Sequence, residues 1–225
     1  MFHTLRARLI AICVGITVVS LLALSVAIFV TVRHDTLASI DTHIGQLTQM
    51  HAADVAQWVR DKQRITSSMK IAAAQEDPRL FLQATKDAGG FDDIYIVYAD
   101  NRPLFLHPLP AGYSGVQRPW YKQGIATDGP ALTPAYVDAT SGLLTISFVE
   151  RFGPKDKPLG VFGSDMLLSS IAKMVAAIRP QESSFAFLVD EQGQLLAYHR
   201  PELELKPVSK VIAGMDVAQL RTLSQ

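Results

Sequence analysis

Cys13 is the single cysteine of this 225-residue chain, so no internal disulfide can form. With six scattered histidines beside it, neither a Cys/His zinc set nor a two-cysteine redox centre can be assembled. A surplus of either charge is missing too: 21 basic side chains face 21 acidic ones, with no polybasic or polyacidic run. A nucleic-acid footprint needs basic residues gathered on one face or domain, so nucleic acid is excluded as a partner, and no metal or cofactor is implied. Nor is there a nucleophile elbow, because Gly163-Ser164-Asp165 lacks the required flanking pattern, and His107 and His199 have no spacing that ties them to a serine. Paired aspartates could do acid–base work. Asp138 and Asp165, with an arginine and several tyrosines nearby in sequence, suit a cation site better. The expectation is a protein that binds, not an enzyme.

What is present is unevenly distributed. Leu9 to Val32 carries no charged residue over 24 positions, which as a helix would be ~36 Å long. That crosses a hydrocarbon core of about 30 Å. A cleaved signal peptide is the rival reading, but its apolar region would run only ~7–15 residues before a small-residue cleavage site. Here Arg33-His34-Asp35 and a helical pattern follow. The sequence therefore predicts an uncleaved anchor across the inner membrane at residues 9–32. Arg6 and Arg8 keep residues 1–8 cytoplasmic, and the bulk of the chain lies outside. Beyond residue 32 there remain 19 basic and 21 acidic groups, the balance of a solvated, slightly acidic exported part that has no thiol.

The exported part opens with a helical period. Leu37, Ile40, Ile44 and Leu47 follow 3-4-3 spacing, and Trp58, Ile65, Met69 and Ala72 resume it until Pro78 ends or kinks the run. A long amphipathic helix over residues 33–88 needs cover for its stripe, from the rest of the chain or from a second copy, so a homodimer is expected. His34, His43 and His51 read as solvated or interface positions. After Gly89-Gly90 the period becomes two. Ile94–Tyr98 and Pro103–Leu106 form a hairpin, and Ala135–Asp138, Leu143–Phe152 and Leu159–Met166 read as three further antiparallel strands. Leu167–Ile178 reads as a helix, and Phe185–Asp190 with Gln194–His199 as a last hairpin. The predicted fold class is α+β with an antiparallel sheet. Tyr95 and Tyr98 fall on opposite faces of their strand, so only one can look into a ligand space.

Between the first hairpin and the next strands, Pro108 to Pro130 is a long turn-rich excursion with a short helix predicted near Trp120–Ala126. Loops of this length inside a domain usually bind something. This one carries Tyr113, Arg118, Trp120 and Tyr121, and the strands beyond it carry Tyr136, Asp138 and Asp165. Arg118 offers a planar fork for a carboxylate, the indole N–H and the phenols add donors, and the two aspartates can accept from an ammonium. The set suits a small zwitterion. The alternative from the residues alone is structural, with Tyr and Trp as core and Arg118 paired to Asp138.

The order of these residues carries a resemblance. Tyr113, then Arg118, Trp120 and Tyr121, then Tyr136 and Asp138, then Asp165, seven positions within 53 residues, resembles the ligand-binding signature of the amino-acid-sensing double-Cache domains of methyl-accepting chemotaxis proteins. Ser114-Gly115-Val116-Gln117 departs from the more charged lead-in of many relatives, which touches local loop packing only. The resemblance implies a PAS-like, membrane-distal ligand-binding module at residues 89–182, with residues 183–225 starting a membrane-proximal module that is incomplete here. It implies that Arg118, Trp120 and Tyr113 hold a ligand carboxylate while Tyr121, Tyr136, Asp138 and Asp165 surround its amino group. An L-amino acid is the implied ligand and a dimer the implied state. Cytoplasmic signalling partners are implied only with a full receptor. A sensor kinase or diguanylate cyclase can carry the same input domain, and an amine or γ-amino acid sensor is the other alternative.

Overall fold

With no proline before Pro78, and with Gly15 and Gly45 tolerated inside it, the chain forms a single long helix, α1 (Leu5–Ser68). The computed structural model describes residues 5–178, 185–190, 192–212, 215 and 218, and its contacts divide the chain into two units, Met1–Ala53 and Asp54–Leu223. In the first unit the apolar side chains are exposed on all sides of the helix, Leu9, Ile16, Leu22 and Phe29 among them, as expected of a surface that meets lipid. The stretch long and apolar enough to cross a membrane is Ile12–Leu37. It starts three residues later than the charge-free run and takes in Arg33 and Asp35. The Thr17 hydroxyl within it donates to the Cys13 carbonyl at 2.9 Å, which removes a polar group from the lipid-facing inventory. Leu37 and Ile40 are exposed; the side chains of Ile44 and Leu47 lie outside the described set.

The second unit starts with the last turns of α1. The α-helix ends at Ser68 rather than at Pro78 as the period suggested, and Met69–Ala74 tightens into a 3-10 turn. Two serines explain the change: Ser68 turns its hydroxyl back onto the Ile65 carbonyl at 2.6 Å, and Ser67 gives its own to Glu150. At three residues per turn Met69 and Ala72 stack on one face, and both are wholly buried. After Pro78 a separate helix follows, α2 (Arg79–Gly89). Its C-terminus is closed by Gly90 at φ 58° and by the Phe91 N–H bonding the Lys86 carbonyl at 3.1 Å.

The sheet comprises β1 (Asp93–Tyr98), β2 (Pro103–Phe105), β3 (Ala131–Leu132), β4 (Tyr136–Val137), β5 (Leu144–Phe152) and β6 (Gly160–Leu167), in the order β2-β1-β6-β5-β3, with β4 also on β5. Every pairing is antiparallel. β3 was not visible in the sequence. Helix α3 (Pro119–Ala126) lies in the excursion between β2 and β3, and α4 (Leu168–Ala176) follows β6. Beyond it come β7 (Leu188–Val189), β8 (Leu195–Ala197) and the short α5 (Val208–Val211) around a small core of Leu195, Tyr198 and Val208. The hairpin expected after residue 185 is therefore present in a shorter form, and Gln181–Ser184 lie outside the described residues.

Both faces of the sheet are buried, for different purposes. Alternate residues Ile94, Ile96, Ile146, Phe148, Phe162 and Met166 pack on Met69, Leu82, Leu168 and Ile171 to form the main core. On that same face α1 is tied down by polar contacts. The Thr66 hydroxyl donates to Ser164 at 3.0 Å, and Lys70 pairs with the buried Glu150 at 2.5 Å. The opposite face, with Tyr95, Val97, Val149 and Val161, is covered by Trp120 and Tyr121 of α3. Tyr95 is thus the tyrosine that looks toward the excursion, while Tyr98 packs edge-on against Phe152, 5.8 Å between centroids.

Candidate functional site

The excursion is held against the sheet by short, specific ties. Asn101, left-handed at φ 62° in the β1–β2 turn, accepts from the Ser114 hydroxyl at 3.2 Å and the Val116 N–H at 3.3 Å. Gln123 donates to the Leu132 carbonyl at 2.9 Å. Arg118 precedes Pro119 and is therefore extended (φ −72°, ψ 147°), which stops the helix from starting earlier and leaves Arg118 at its N-cap. Arg118 as a residue is half-buried and its guanidinium has no acidic partner among the described residues, so the structural bridge to Asp138 does not form. With Tyr113, Arg118 lines a hollow of about 250 Å³.

The two aspartates open on a larger cavity next to it, about 490 Å³, which shares Pro110 with the first. Its size falls in the range of small-molecule sites. Asp138 follows β4 in a tight turn where Oδ2 accepts from the Thr140 N–H (3.0 Å), the Ser141 N–H (2.7 Å), the Ser141 hydroxyl (2.9 Å) and the Thr140 hydroxyl. Burial works to raise its pKa, but these donors outweigh it and hold the carboxyl below the ordinary carboxylate range. It stays ionised and fixed.

Asp165, near the end of β6, behaves in the opposite way. It is buried, and Oδ1 accepts from the Tyr95 hydroxyl at 2.7 Å and the Ser147 hydroxyl at 2.6 Å. Burial dominates those two donors, and with Asp93 and Asp138 adding to it the pKa rises to about 8. The Tyr136 phenol shares a 2.7 Å hydrogen bond with the Ser147 hydroxyl, so a chain runs Tyr95, Asp165, Ser147, Tyr136. Burial raises the pKa of both phenols, with the Asp165 charge adding to it; they remain protonated donors. Tyr113 stands between the two ends. Burial raises its pKa, Arg118 works against that, and Asp138 and Asp165 add to it.

Of the seven residues expected from the sequence, Tyr113 and Arg118 gather in one hollow, Asp138 and Asp165 border the other, and Tyr136 reaches Asp165 through Ser147. Trp120 is almost wholly buried, 4.7 Å from the Tyr95 ring, and directs its indole at the Tyr113 phenol. Tyr121 departs from expectation. One step along α3 turns a side chain about 100° from its neighbour, and the charge its phenol feels is Asp100, in the β1–β2 turn, not the aspartate pair. Tyr121 packs with Val149 and Val161 as core.

The sequence left open whether Tyr95 or Tyr98 faces the site, and it did not point to Ser147 or Phe105. Tyr95 and Ser147 hold Asp165, and Phe105 stacks on Tyr95 at 4.4 Å. Period two on β5 could have found Ser147, which shares a face with Tyr95 and Asp165. Gly163 is their hidden condition: a Cβ there would lie 2.1 Å from the Tyr95 ring, directly across the strand pair. Gly163→Ala is expected to displace Tyr95 from Asp165 and weaken ligand binding by about tenfold, the loss of one charge-assisted hydrogen bond. Calorimetry on the folded variant checks this.

Residues 80–173 match the family described as methyl-accepting chemotaxis protein-like, first PDC sensor domain. The methyl-accepting chemotaxis protein McpG of Pseudomonas putida is 31% identical over 101 residues, 45% of this chain and 16% of that protein. PscA of Pseudomonas syringae is 24% identical over 185 residues, 79% of this chain and 29% of the relative. The chain thus spans under a third of these relatives. Among solved structures, the ligand-binding domain of the Pseudomonas aeruginosa chemoreceptor PctC in complex with GABA superposes with a TM-score of 0.69 at 21% identity, covering 79% of this chain and 85% of that one. That of Pseudomonas fluorescens CtaA in complex with L-serine gives 0.67 at 21% identity, covering 77% and 78%. At such identity the likeness is one of fold.

Proposed function

We propose that this chain, whose residues 80–173 match the first PDC sensor domain of methyl-accepting chemotaxis protein-like receptors, is the anchored, extracytoplasmic amino-acid-binding part of a chemoreceptor. The observation that carries the ligand class is the charge arrangement: half-buried Arg118 without an acidic partner among the described residues at one hollow, and at the adjoining one the ionised Asp138 with the buried, protonated Asp165 beside it. A ligand with one anionic and one cationic group leaves neither end unpaired, and an unpaired buried charge costs several kcal/mol.

Arg118, backed by Tyr113 and Trp120, receives the carboxylate. Asp138 receives the ammonium as a fixed anion, and Asp165, with Tyr136 near it, becomes a second acceptor once the ligand's charge draws off its proton. The fold neighbours solved with L-serine and with GABA support this class, and GABA makes a γ-amino acid the second reading. The Ile12–Leu37 stretch anchors the chain in the inner membrane with the sensor outside. Ligand closure biases α1 in a dimer, and the output is read by cytoplasmic partners of the whole receptor.

The test uses the full chain in detergent micelles and calorimetric titration with the L-amino acids, GABA, and the split halves of alanine, ethylamine and propionate. Binding of an amino acid with no measurable binding of either half is expected. Equal binding by ethylamine or propionate removes the two-ended site.

A further inference from the structure

The larger cavity extends past Asp138 and Asp165 to a wall that the zwitterion contacts do not use. Asp93 stands there, directly opposite Asp165 in the β1–β6 pairing, so the two side chains leave the same face of the sheet from neighbouring positions. Asp93 Oδ2 meets His107 Nε2 at 2.7 Å, and His107 Nδ1 meets the Pro108 carbonyl at 2.9 Å. A carboxylate and a carbonyl both only accept, so both ring nitrogens must donate and the imidazole is held as its cation. Burial pulls the His107 pKa down, yet the Pro108 carbonyl and Asp93 outweigh it and the net shift is upward. His107 therefore has no donor to spare.

Asp93 is left half-used. Its Oδ1 is buried and receives no hydrogen bond. Of the hydroxyls bordering the cavity, Thr140 and Ser141 serve Asp138 and Thr145 serves the Leu143 carbonyl at 3.2 Å; Lys86 borders it too, without donating to Asp93 Oδ1. Asp93 borders the cavity, so the missing donor can come from whatever enters it. A buried acceptor without a donor costs about 1–3 kcal/mol, and a site built around such an acceptor discriminates strongly against analogues that lack the donor.

We infer that Asp93, positioned by His107, is the side-chain subsite of the cavity and selects amino acids whose side chain ends in a nitrogen donor, an amine or an amide, over hydrocarbon side chains of the same length. The inference rests on the amino-acid reading above. A hydrocarbon side chain would seal Asp93 Oδ1 against an apolar surface, whereas an N–H satisfies it.

Four ligands test it on the full chain in detergent micelles by calorimetry: L-ornithine and L-norleucine, whose side chains have the same length and differ in the terminal atom, L-glutamine as the amide, and L-alanine for the shared backbone contacts. Ornithine or glutamine is expected to bind at least about tenfold more tightly than norleucine; which of the two is stronger tells amine from amide. Asp93→Asn keeps an acceptor for His107 but replaces the free oxygen by an amino group. It is expected to erase that preference, while alanine still binds, with its pH dependence shifted because Asp93 no longer raises the Asp165 pKa. Alanine binding with norleucine as tight as ornithine and glutamine overturns the subsite and spares the amino-acid reading. A preference that survives Asp93→Asn does the same, and absence of binding by all four ligands removes both.

Discussion

Arg118→Ala is expected to weaken amino-acid binding by roughly 30- to 200-fold, the ~2–3 kcal/mol of a half-buried charge pair that loses one member. The thermal midpoint of the ligand-free chain is expected to stay within about 2 °C, because surface changes that break no contact fall within ±0.5 kcal/mol. Both halves follow from one fact: the guanidinium makes no ion pair with a described residue, so its removal costs the empty protein little and the complex much. Arg118→Lys keeps the charge but loses the fork and should fall between the wild type and Arg118→Ala. Calorimetry and a thermal melt on the same samples decide it. Undiminished affinity would end the assignment of the carboxylate end, and a collapse in stability would show Arg118 to be structural.

Asp165 gives the second large effect, and its sign differs between folding and binding. The carboxyl titrates near pH 8 in the empty fold against an ordinary value of 3.8. Between those values the folded chain holds a proton that the unfolded chain has released, so this contribution to stability is full below about pH 4 and lost as pH rises through about 8. Binding runs the other way. The ligand ammonium favours the carboxylate and expels the proton, so affinity should climb with pH, by up to about tenfold per unit, and level off above about 8. Tyr95, Ser147 and Tyr136 donate into this site while Asp93 and Asp138 repel from it, so the titration belongs to the group rather than to one residue. Asp165→Asn retains the oxygen that Tyr95 and Ser147 address. It is expected to raise the melting temperature of the empty protein at neutral pH, to weaken binding, and to flatten the pH dependence. Titrations from pH 6 to 8.5 and melts at the same pH values check all three. A steep pH dependence that persists in Asp165→Asn would refute proton release from this group.

Much of this could be read from the residues in order. Short β-rich runs between turn signals at 94–98, 143–152 and 159–166 marked the three long strands to within a residue or two, although both faces of each are buried and the alternation is weak. Arg118-Pro119 marked both a helix start and an extended arginine, since proline restricts its predecessor. Other parts depended on contacts between distant segments. Met69 and Ala72 keep a helical spacing that a 3-10 turn satisfies equally, so nothing local showed the α-helix ending at Ser68. β3 is two residues between Pro130 and Pro134, too short to carry a period; it exists because β5 offers Val149 and Phe148 as partners. Tyr121 matched a sequence pattern, yet its direction is set by the packing of α3. The Asp93–His107 pair links residues 14 apart that meet only because β2 folds back on β1.

Ser164 and Asp165 are consecutive, so their side chains leave opposite faces of β6: the hydroxyl receives Thr66 of α1, the carboxyl borders the cavity. One residue step along β6 separates the carboxyl at the cavity from the hydroxyl that meets α1. The sheet behaves as a stiff membrane between two compartments, and a central strand bonded on both sides can tilt or slide by little without moving its neighbours. Under the proposed signalling role, the size of any stroke delivered to α1 would be set by the stiffness of the β1-β6-β5 ladder, not by the bulk of the molecule that binds. Ligands of very different size would report the same amplitude and differ only in how often they produce it.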